Sequence, residues 1–170
     1  MPHATYTRTD LTGQGFAGFV PFHQIDLTQV PTDPGVYVVL RESDLRPSFL
    51  SENPAGRFKG RNPTVPVVEL EAAWPDGAHC LYIGKAAAGS RSVRHLRQRI
   101  KEFRQYGDGL PVGHQGGRRI WQLADADTFV IAWLVTPDRD PADVEGELIR
   151  QFVDECGKRP IGNRTSGRRR

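Results

Sequence analysis

The longest wholly apolar run in the chain, residues 129–135, limits the architectures open to this sequence. Its seven residues are far fewer than the roughly 20 that a membrane-spanning helix needs. The run is rich in β-branched and aromatic residues, and its length is that of a strand buried on both faces. The sequence therefore predicts a central strand over residues 128–135 and no association with a membrane.

Two other segments have the composition of buried strands and are bounded by turn residues. These are residues 36–40 and residues 80–84. Two segments carry apolar residues three and four positions apart, which is the pattern of amphipathic helices. The first helix is expected to run from Ser92, a favourable capping residue, to about Tyr106. The second is expected to begin at Pro141 and to end near Gly157.

With 170 residues, the chain has the length of one domain. The order strand, insertion, strand, helix, strand, helix predicts an α/β fold in which a small three-stranded central sheet is flanked by helices. The expected organisation is an N-terminal arm or loop (residues 1–30), the domain itself (residues 31–163), an insertion within it (residues 41–79) and a basic C-terminal tail (residues 164–170).

Positive charge is concentrated in two regions. Residues 85–119 hold nine Lys and Arg against two acids, and residues 157–170 add six basic residues and no acid, although the formal net charge of the chain is only +3. Arginine outnumbers lysine nineteen to four. Because the planar guanidinium fork matches phosphate oxygens, this distribution favours a face that binds a polyanion such as nucleic acid. A solvated helix face is the alternative interpretation of such a charge run.

Several other classes are disfavoured by the sequence. Cys80 and Cys156 are too few to staple a domain of this size, and the five histidines lack the spacing of zinc ligands. Residues 1–10 lack the basic and then apolar pattern of a signal peptide. We therefore expect a soluble protein of the cytoplasm. The sequence indicates neither an oligomeric state nor a separate recognition module.

Five short motifs follow one another along the predicted elements. They are Pro34-Gly35-Val36-Tyr37, Leu81-Tyr82-Ile83-Gly84-Lys85, Leu96-Arg97-Gln98-Arg99-Ile100, Val144-Glu145-Gly146-Glu147-Leu148-Ile149 and Arg159-Pro160-Ile161-Gly162-Asn163. In this order and on these elements, the sequence resembles the GIY-YIG nuclease superfamily over about residues 36–163. A single motif of this length is weak evidence, whereas five in the right order form a strong signal.

The resemblance implies an endonuclease that hydrolyses phosphodiester bonds, and it assigns the catalytic residues position by position. They are Tyr37 and Tyr82 in the two tyrosine motifs, Lys85 at a position often basic in relatives, Arg99 in the helix, Glu145 as the metal-binding glutamate and Asn163 as the late asparagine. Glu145 is preferred over Glu147 because leucine and isoleucine follow it by three and four residues, as in the family.

These residue types suit the implied reaction. Hydrolysis of a phosphodiester needs a nucleophilic water and neutralisation of charge on the phosphate. A single carboxylate, that of Glu145, would hold one Mg²⁺ (or Mn²⁺) that keeps several waters. Arg99 would bind the phosphate, and Tyr37 or Tyr82 would orient or deprotonate the water. Tyr37 is the first choice for this base, with Lys85 as a possible aid.

Seven further basic residues are candidates for binding nucleic acid, most of them on the first predicted helix. They are Arg91, Arg94, Arg97, Lys101, Arg104, Arg118 and Arg119. DNA is the expected substrate.

Two departures from the family pattern keep other functions open. The tyrosine motifs are separated by 44 residues, and Phe103 stands where relatives often carry a tyrosine or histidine. Either that role is dispensable or another residue, such as His114 or Tyr106, supplies it. The main alternative is a nucleic-acid-binding module of the same fold without catalysis. A structural or interaction domain with core tyrosines and incidental arginines is the third hypothesis.

Overall fold

The centre of the fold is a four-stranded antiparallel sheet in this computed structural model, which describes residues 6–87, 94–112 and 116–167. The strands are β1 (Ala17–Pro21), β2 (Gly35–Leu40), β3 (Cys80–Ala86) and β4 (Val130–Val135), in the order β1-β4-β2-β3. The α-helices are α1 (Arg8–Gly13), α2 (Val67–Ala73), α3 (Leu96–Gly107) and α4 (Pro141–Cys156). None of the helices in these ranges is long and apolar enough to cross a membrane.

The prediction of a three-stranded sheet was wrong, because β1 adds a fourth strand from the segment expected to be an arm or loop. β1 pairs with β4, and its register shifts between Gly18 and Val20. Its sequence includes two small residues and a proline and has no period-two alternation, so the pairing with β4 is what makes it a strand. Gly18 has φ +97°, and a Cβ there would lie 2.6 Å from the Trp133 ring.

The three predicted strands are confirmed with small shifts of their ends, and β2 and β4 are the interior strands. Side chains alternate between two cores. On one face, Tyr37 and Ile131 pack with α3 in a core rich in aromatic residues. On the other face, Val38 and Ala132 pack with α4 in a mainly aliphatic core.

The C-terminal helix begins and ends as predicted. Asp140 accepts a hydrogen bond from the Ala142 amide, Pro141 is the first helical residue, and Gly157 ends the helix in the left-handed conformation (φ 71°). The other helix starts later than predicted: His95, not Ser92, is its N-cap, and Ser92 lies outside the described residues. The cause is that the His95 ring accepts the amide of Gln98.

The insertion, residues 41–79, is docked on the domain through Gln122. The Gln122 amide accepts from the Val65 N–H at 2.9 Å and donates to the carbonyls of Val65 and Leu50 at 2.8 and 2.9 Å. Within the insertion lie α2 and a 3₁₀ turn at Phe58–Gly60. This docking fixes the insertion beside the turn that precedes β4.

Candidate functional site

The two motif tyrosines are neighbours on adjacent strands. Tyr37 on β2 and Tyr82 on β3 have ring centroids 5.9 Å apart, and their hydroxyls are joined by a hydrogen bond. Tyr37 is fully buried and Tyr82 is 7% exposed. Gly84 lies opposite Tyr37, where a Cβ would come within 2.6 Å of the Tyr37 hydroxyl oxygen. The glycine of the second motif therefore makes room for the first tyrosine.

Burial is the main influence on both hydroxyls. It raises the pKa of Tyr37 well above the ordinary value, with a further increase from Tyr82. It also raises the pKa of Tyr82 to about 12, with Glu145 adding to the increase. The positive charge of Arg99 lowers the pKa of both tyrosines but does not offset burial. Both hydroxyls are therefore protonated at neutral pH and can donate hydrogen bonds.

Lys85 pairs with the candidate metal-binding glutamate. Its Nζ lies 2.5 Å from Oε2 of Glu145, which sits in the second turn of α4. The Glu145 side chain is 10% exposed and that of Lys85 is 40% exposed. The structure thus brings two of the predicted site residues together, because the ammonium group of Lys85 contacts the carboxylate of Glu145.

Glu145 is suited to holding a cation only if water or substrate supplies the other ligands. Among residues 6–87, 94–112 and 116–167, no three His, Cys, Asp or Glu side chains form a metal-binding group. One carboxylate is enough for a Mg²⁺ ion that keeps most of its waters. The residues therefore fit a hard divalent cation, with Lys85 as its competitor for one carboxylate oxygen.

Arg99 approaches the tyrosines from α3. Its charge acts on both hydroxyls, and its Nη1 lies 2.8 Å from Oε2 of Glu102, one turn further along the helix. Burial opposes ionisation of Glu102, but hydrogen bonds from Gln98 and Arg99 hold its pKa below the ordinary value. Glu102 was not among the predicted site residues, although its spacing of three from Arg99 is a recognisable signal.

Phe103 is a core residue that supports the tyrosine pair. Its ring is fully buried and lies parallel to that of Tyr82, with centroids 5.5 Å apart and planes 8° apart. The Trp121 ring contacts it from another side at 5.1 Å. Of the two residues considered as substitutes, His114 lies outside the described part of the chain. Tyr106 lines a separate pocket with Arg118.

Asn163 holds the chain that follows α4 against the free edge of β3. Its Nδ2 donates to the Ile83 carbonyl at 2.8 Å, and its Oδ1 accepts from the Ile83 N–H at 2.9 Å. Next to it, the Gly162 N–H donates to the carbonyl of Leu81. Both ends of the amide are engaged by backbone, so Asn163 acts in positioning residues 160–164.

The structure divides the predicted nucleic-acid-binding residues into groups. Arg97 and Arg104 face the N-terminal segment: Arg97 donates to the carbonyls of Thr28 and Val30, and Arg104 to that of Ile25. These two arginines therefore attach the N-terminal segment to α3 and stabilise the fold. Two others, Arg94 and Lys101, are exposed beside or on α3, and Arg91 lies outside the described residues.

Arg118 and Arg119 belong to a different basic surface. Three further arginines surround them, one from the insertion and two from the segment after α4: Arg61, Arg159 and Arg164. These three were not among the predicted site residues. The charge excess of residues 157–170 was the available signal for two of them. Arg61 has no comparable sequence signal, since a proline-rich insertion surrounds it.

The comparisons with known proteins do not assign a function to the chain, so the functional assignment depends on the geometry of the site. The chain matches no protein-family model, no curated protein and no solved structure. Two strands and two helices supply Tyr37, Tyr82, Lys85, Arg99 and Glu145. The two tyrosines lie on the sheet face that packs with α3, Lys85 contacts Glu145 on the α4 side, and the charges of Arg99 and Glu145 both act on the tyrosine hydroxyls.

Proposed function

We propose that the protein is a metal-dependent endonuclease of the GIY-YIG type that hydrolyses phosphodiester bonds, with DNA as its expected substrate. One observation carries the proposal. The rings of Tyr37 and Tyr82 lie 5.9 Å apart on neighbouring strands, where the charges of Arg99 on α3 and Glu145 on α4 both act on the pKa of their hydroxyls. Residues far apart in sequence thus combine donors, a cation and a carboxylate, which is the chemistry that phosphodiester hydrolysis requires.

In this proposal each side chain has a distinct role. The Glu145 carboxylate would bind Mg²⁺ or Mn²⁺, which neutralises charge on the phosphate when bound. Arg99, whose side chain is 18% exposed, would bind a phosphate oxygen through its remaining N–H groups. Lys85 would leave the carboxylate and turn its ammonium to the negative charge of the substrate.

Tyr82 is better placed than Tyr37 to contact the attacking water. Tyr37 is fully buried, and its hydrogen bond raises its own pKa while lowering that of Tyr82. We therefore assign Tyr82 to orienting the water and Tyr37 to supporting Tyr82, which reverses the first choice made from the sequence.

The second candidate is a binding module without catalysis. The observation in its favour is the contact between Lys85 and Glu145, which occupies one oxygen of the only carboxylate assigned to the metal. The raised pKa values of both tyrosines also oppose their action as bases. This module would bind nucleic acid through the same basic surfaces.

The deciding experiment is nicking of supercoiled plasmid by the purified protein with Mg²⁺, Mn²⁺ or EDTA. Glu145→Gln is the test variant. Glu147→Gln is its control, because Glu147 lies on the same helix but forms a surface ion pair with Arg139 at 2.7 Å. The nuclease proposal expects metal-dependent nicking that is lost only in Glu145→Gln. A parent protein that shifts DNA in a gel but never nicks it supports the binding module, and one that does neither excludes both.

A further inference from the structure

Two pockets beside the segment that follows α4 are lined by basic side chains. A pocket of about 190 Å³ has Arg61, Arg118 and Arg164 in its wall. Another, of about 380 Å³, has Arg119 and Arg159 in its wall, together with Lys158. We call these five arginines the arginine cluster. Its members come from the insertion, from the turn before residues 120–122 and from the C-terminal segment, so the fold brings them together.

The cluster has little negative charge to balance it. In the described part of the chain, none of its five guanidinium groups lies within 4.0 Å of a carboxylate. Among the charges that act on the pKa of Arg119, that of Glu69 is the one that raises it. Burial and the charges of Arg118, Arg164 and Arg159 all lower the pKa of Arg119. Like charges gathered without partners destabilise a fold, and they are typical of a surface that binds an anion.

Arg118 gives independent evidence of an incomplete site. Its Nε is buried and has no hydrogen-bond partner in the described structure. Its backbone carbonyl accepts from Asn53 of the insertion at 2.7 Å, so the main chain is held in place while Nε of the side chain is left without a partner. A buried donor without a partner is costly, and an oxygen-rich ligand would satisfy it.

The cluster adjoins the tyrosine pair through two fixed points. Gly117, directly before Arg118, is packed so closely that a Cβ would lie 2.6 Å from the Phe103 ring and 3.5 Å from that of Tyr82. Asn163, directly before Arg164, is hydrogen bonded to Ile83, the residue after Tyr82. Arg118 thus directly follows Gly117, which packs beside Tyr82, and Arg164 directly follows Asn163, which is hydrogen bonded to the residue after Tyr82.

We infer that the arginine cluster binds the backbone phosphates of the nucleic-acid strand that the tyrosine site cleaves. The inference rests on the proposed function, and it extends the site to Arg61, Arg159 and Arg164. Guanidinium groups form paired hydrogen bonds with phosphate oxygens, and five of them distributed over two pockets suit a chain of repeated phosphates. The insertion then has a function, because it supplies Arg61 to the substrate surface.

The test measures binding of a short labelled DNA duplex in EDTA at several salt concentrations. The cluster variant is Arg61→Ala/Arg159→Ala/Arg164→Ala, which changes three exposed side chains. The control is Arg8→Ala/Arg46→Ala/Arg139→Ala, which removes the same charge from exposed residues outside the cluster. We expect the slope of log affinity against log salt to fall by about three in the cluster variant, or about one per lost phosphate contact, and by much less in the control.

Equal slopes in the two triple variants overturn the inference, even if the parent cleaves DNA. If the slope falls in the cluster variant but the parent protein never cleaves DNA, the cluster is supported as a binding surface and the nuclease proposal is refuted instead. Arg164→Glu and Arg164→Lys provide a second measurement that does not depend on the triple variant folding. Weaker binding is expected for the glutamate and intermediate binding for the lysine, which keeps the charge but loses the paired hydrogen bonds. The same affinity for both would also overturn the inference.

Discussion

Asn163 acts as a short extension of the sheet beyond Ile83. Its amide donates to the Ile83 carbonyl and accepts from the Ile83 N–H, at 2.8 and 2.9 Å, as a residue of a neighbouring strand would. β3 lies at the edge of the sheet, where backbone groups otherwise lack partners. The contact therefore closes part of an edge and fixes the chain that leads to Arg164.

Asn163→Ala is expected to lower the free energy of unfolding by about 2 kcal/mol, because two buried backbone groups lose their partner. Urea denaturation measures the change. Asn62→Ala is the matched control, since the Asn62 side chain also accepts from a backbone amide, that of Thr64, but at an exposed site. A loss no greater than that of the control would show that the amide does not hold this edge.

Arg97→Ala is expected to reduce stability and to leave nucleic-acid binding nearly unchanged. The Arg97 guanidinium donates to the carbonyls of Val30 and Thr28, and such charged hydrogen bonds contribute about 1.5–3 kcal/mol each when buried, less at this half-exposed site. Lys101→Ala, on the same helix but exposed, should have the opposite profile. Thermal unfolding and the salt dependence of DNA binding separate the two variants. A stable Arg97→Ala protein with weakened binding would return Arg97 to the substrate surface.

Much of the fold could be predicted because its main elements carry strong local signals. β2, β3 and β4 are apolar runs ended by turn residues, and α4 has proline at its first position and glycine at its end. β1 has no such pattern, since pairing with β4 alone defines it. The start of α3 depends on the His95 side chain and on carbonyls of Pro31 and Asp33, which sequence periodicity does not report.

The site could be predicted only in part. The sequence shows the types of the site residues and their order along the chain, but not which side chains contact each other. The motifs brought Tyr37, Tyr82 and Glu145 into one hypothesis. They did not reveal that Lys85 contacts Glu145, since this depends on which side chains face each other across elements. The contact of Arg99 with Glu102, three residues apart on one helix, is consistent with their spacing, but the motifs do not include Glu102. Likewise, Arg61 lies beside the other basic residues because the insertion is docked on the domain, through Gln122 and through Asn53.

The tyrosines provide a test of burial by pH titration. The chain has four tyrosines, and burial raises the pKa of every one of them above 10.0, that of Tyr82 to about 12. Between pH 10 and about pH 12, the tyrosines of the unfolded chain lose protons that those of the folded chain keep. The contribution of the tyrosines to the free energy of unfolding is therefore complete below pH 10 and declines as the pH rises towards 12.

We expect little tyrosinate absorbance from the native protein at pH 10, about half ionisation in urea, and a lower denaturation midpoint at pH 11 than at pH 8. The unfolded protein is the internal control for the four chromophores. Ionisation of the native protein near pH 10 would show that the tyrosine hydroxyls are open to solvent.

Phe103→Tyr tests whether the missing hydroxyl limits activity. The Phe103 ring is fully buried against Tyr82 and Trp121, and a Cβ on Gly117 would lie 3.0 Å from its Cζ, so an added hydroxyl enters a closely packed region. A buried hydroxyl without a partner costs about 1–3 kcal/mol. We therefore expect reduced stability in urea and no gain in metal-dependent nicking. Phe19→Tyr, at a partly exposed ring, is the control and should be close to neutral. Increased nicking at unchanged stability would instead mean that this position faces the substrate, and that the phenylalanine itself limits catalysis.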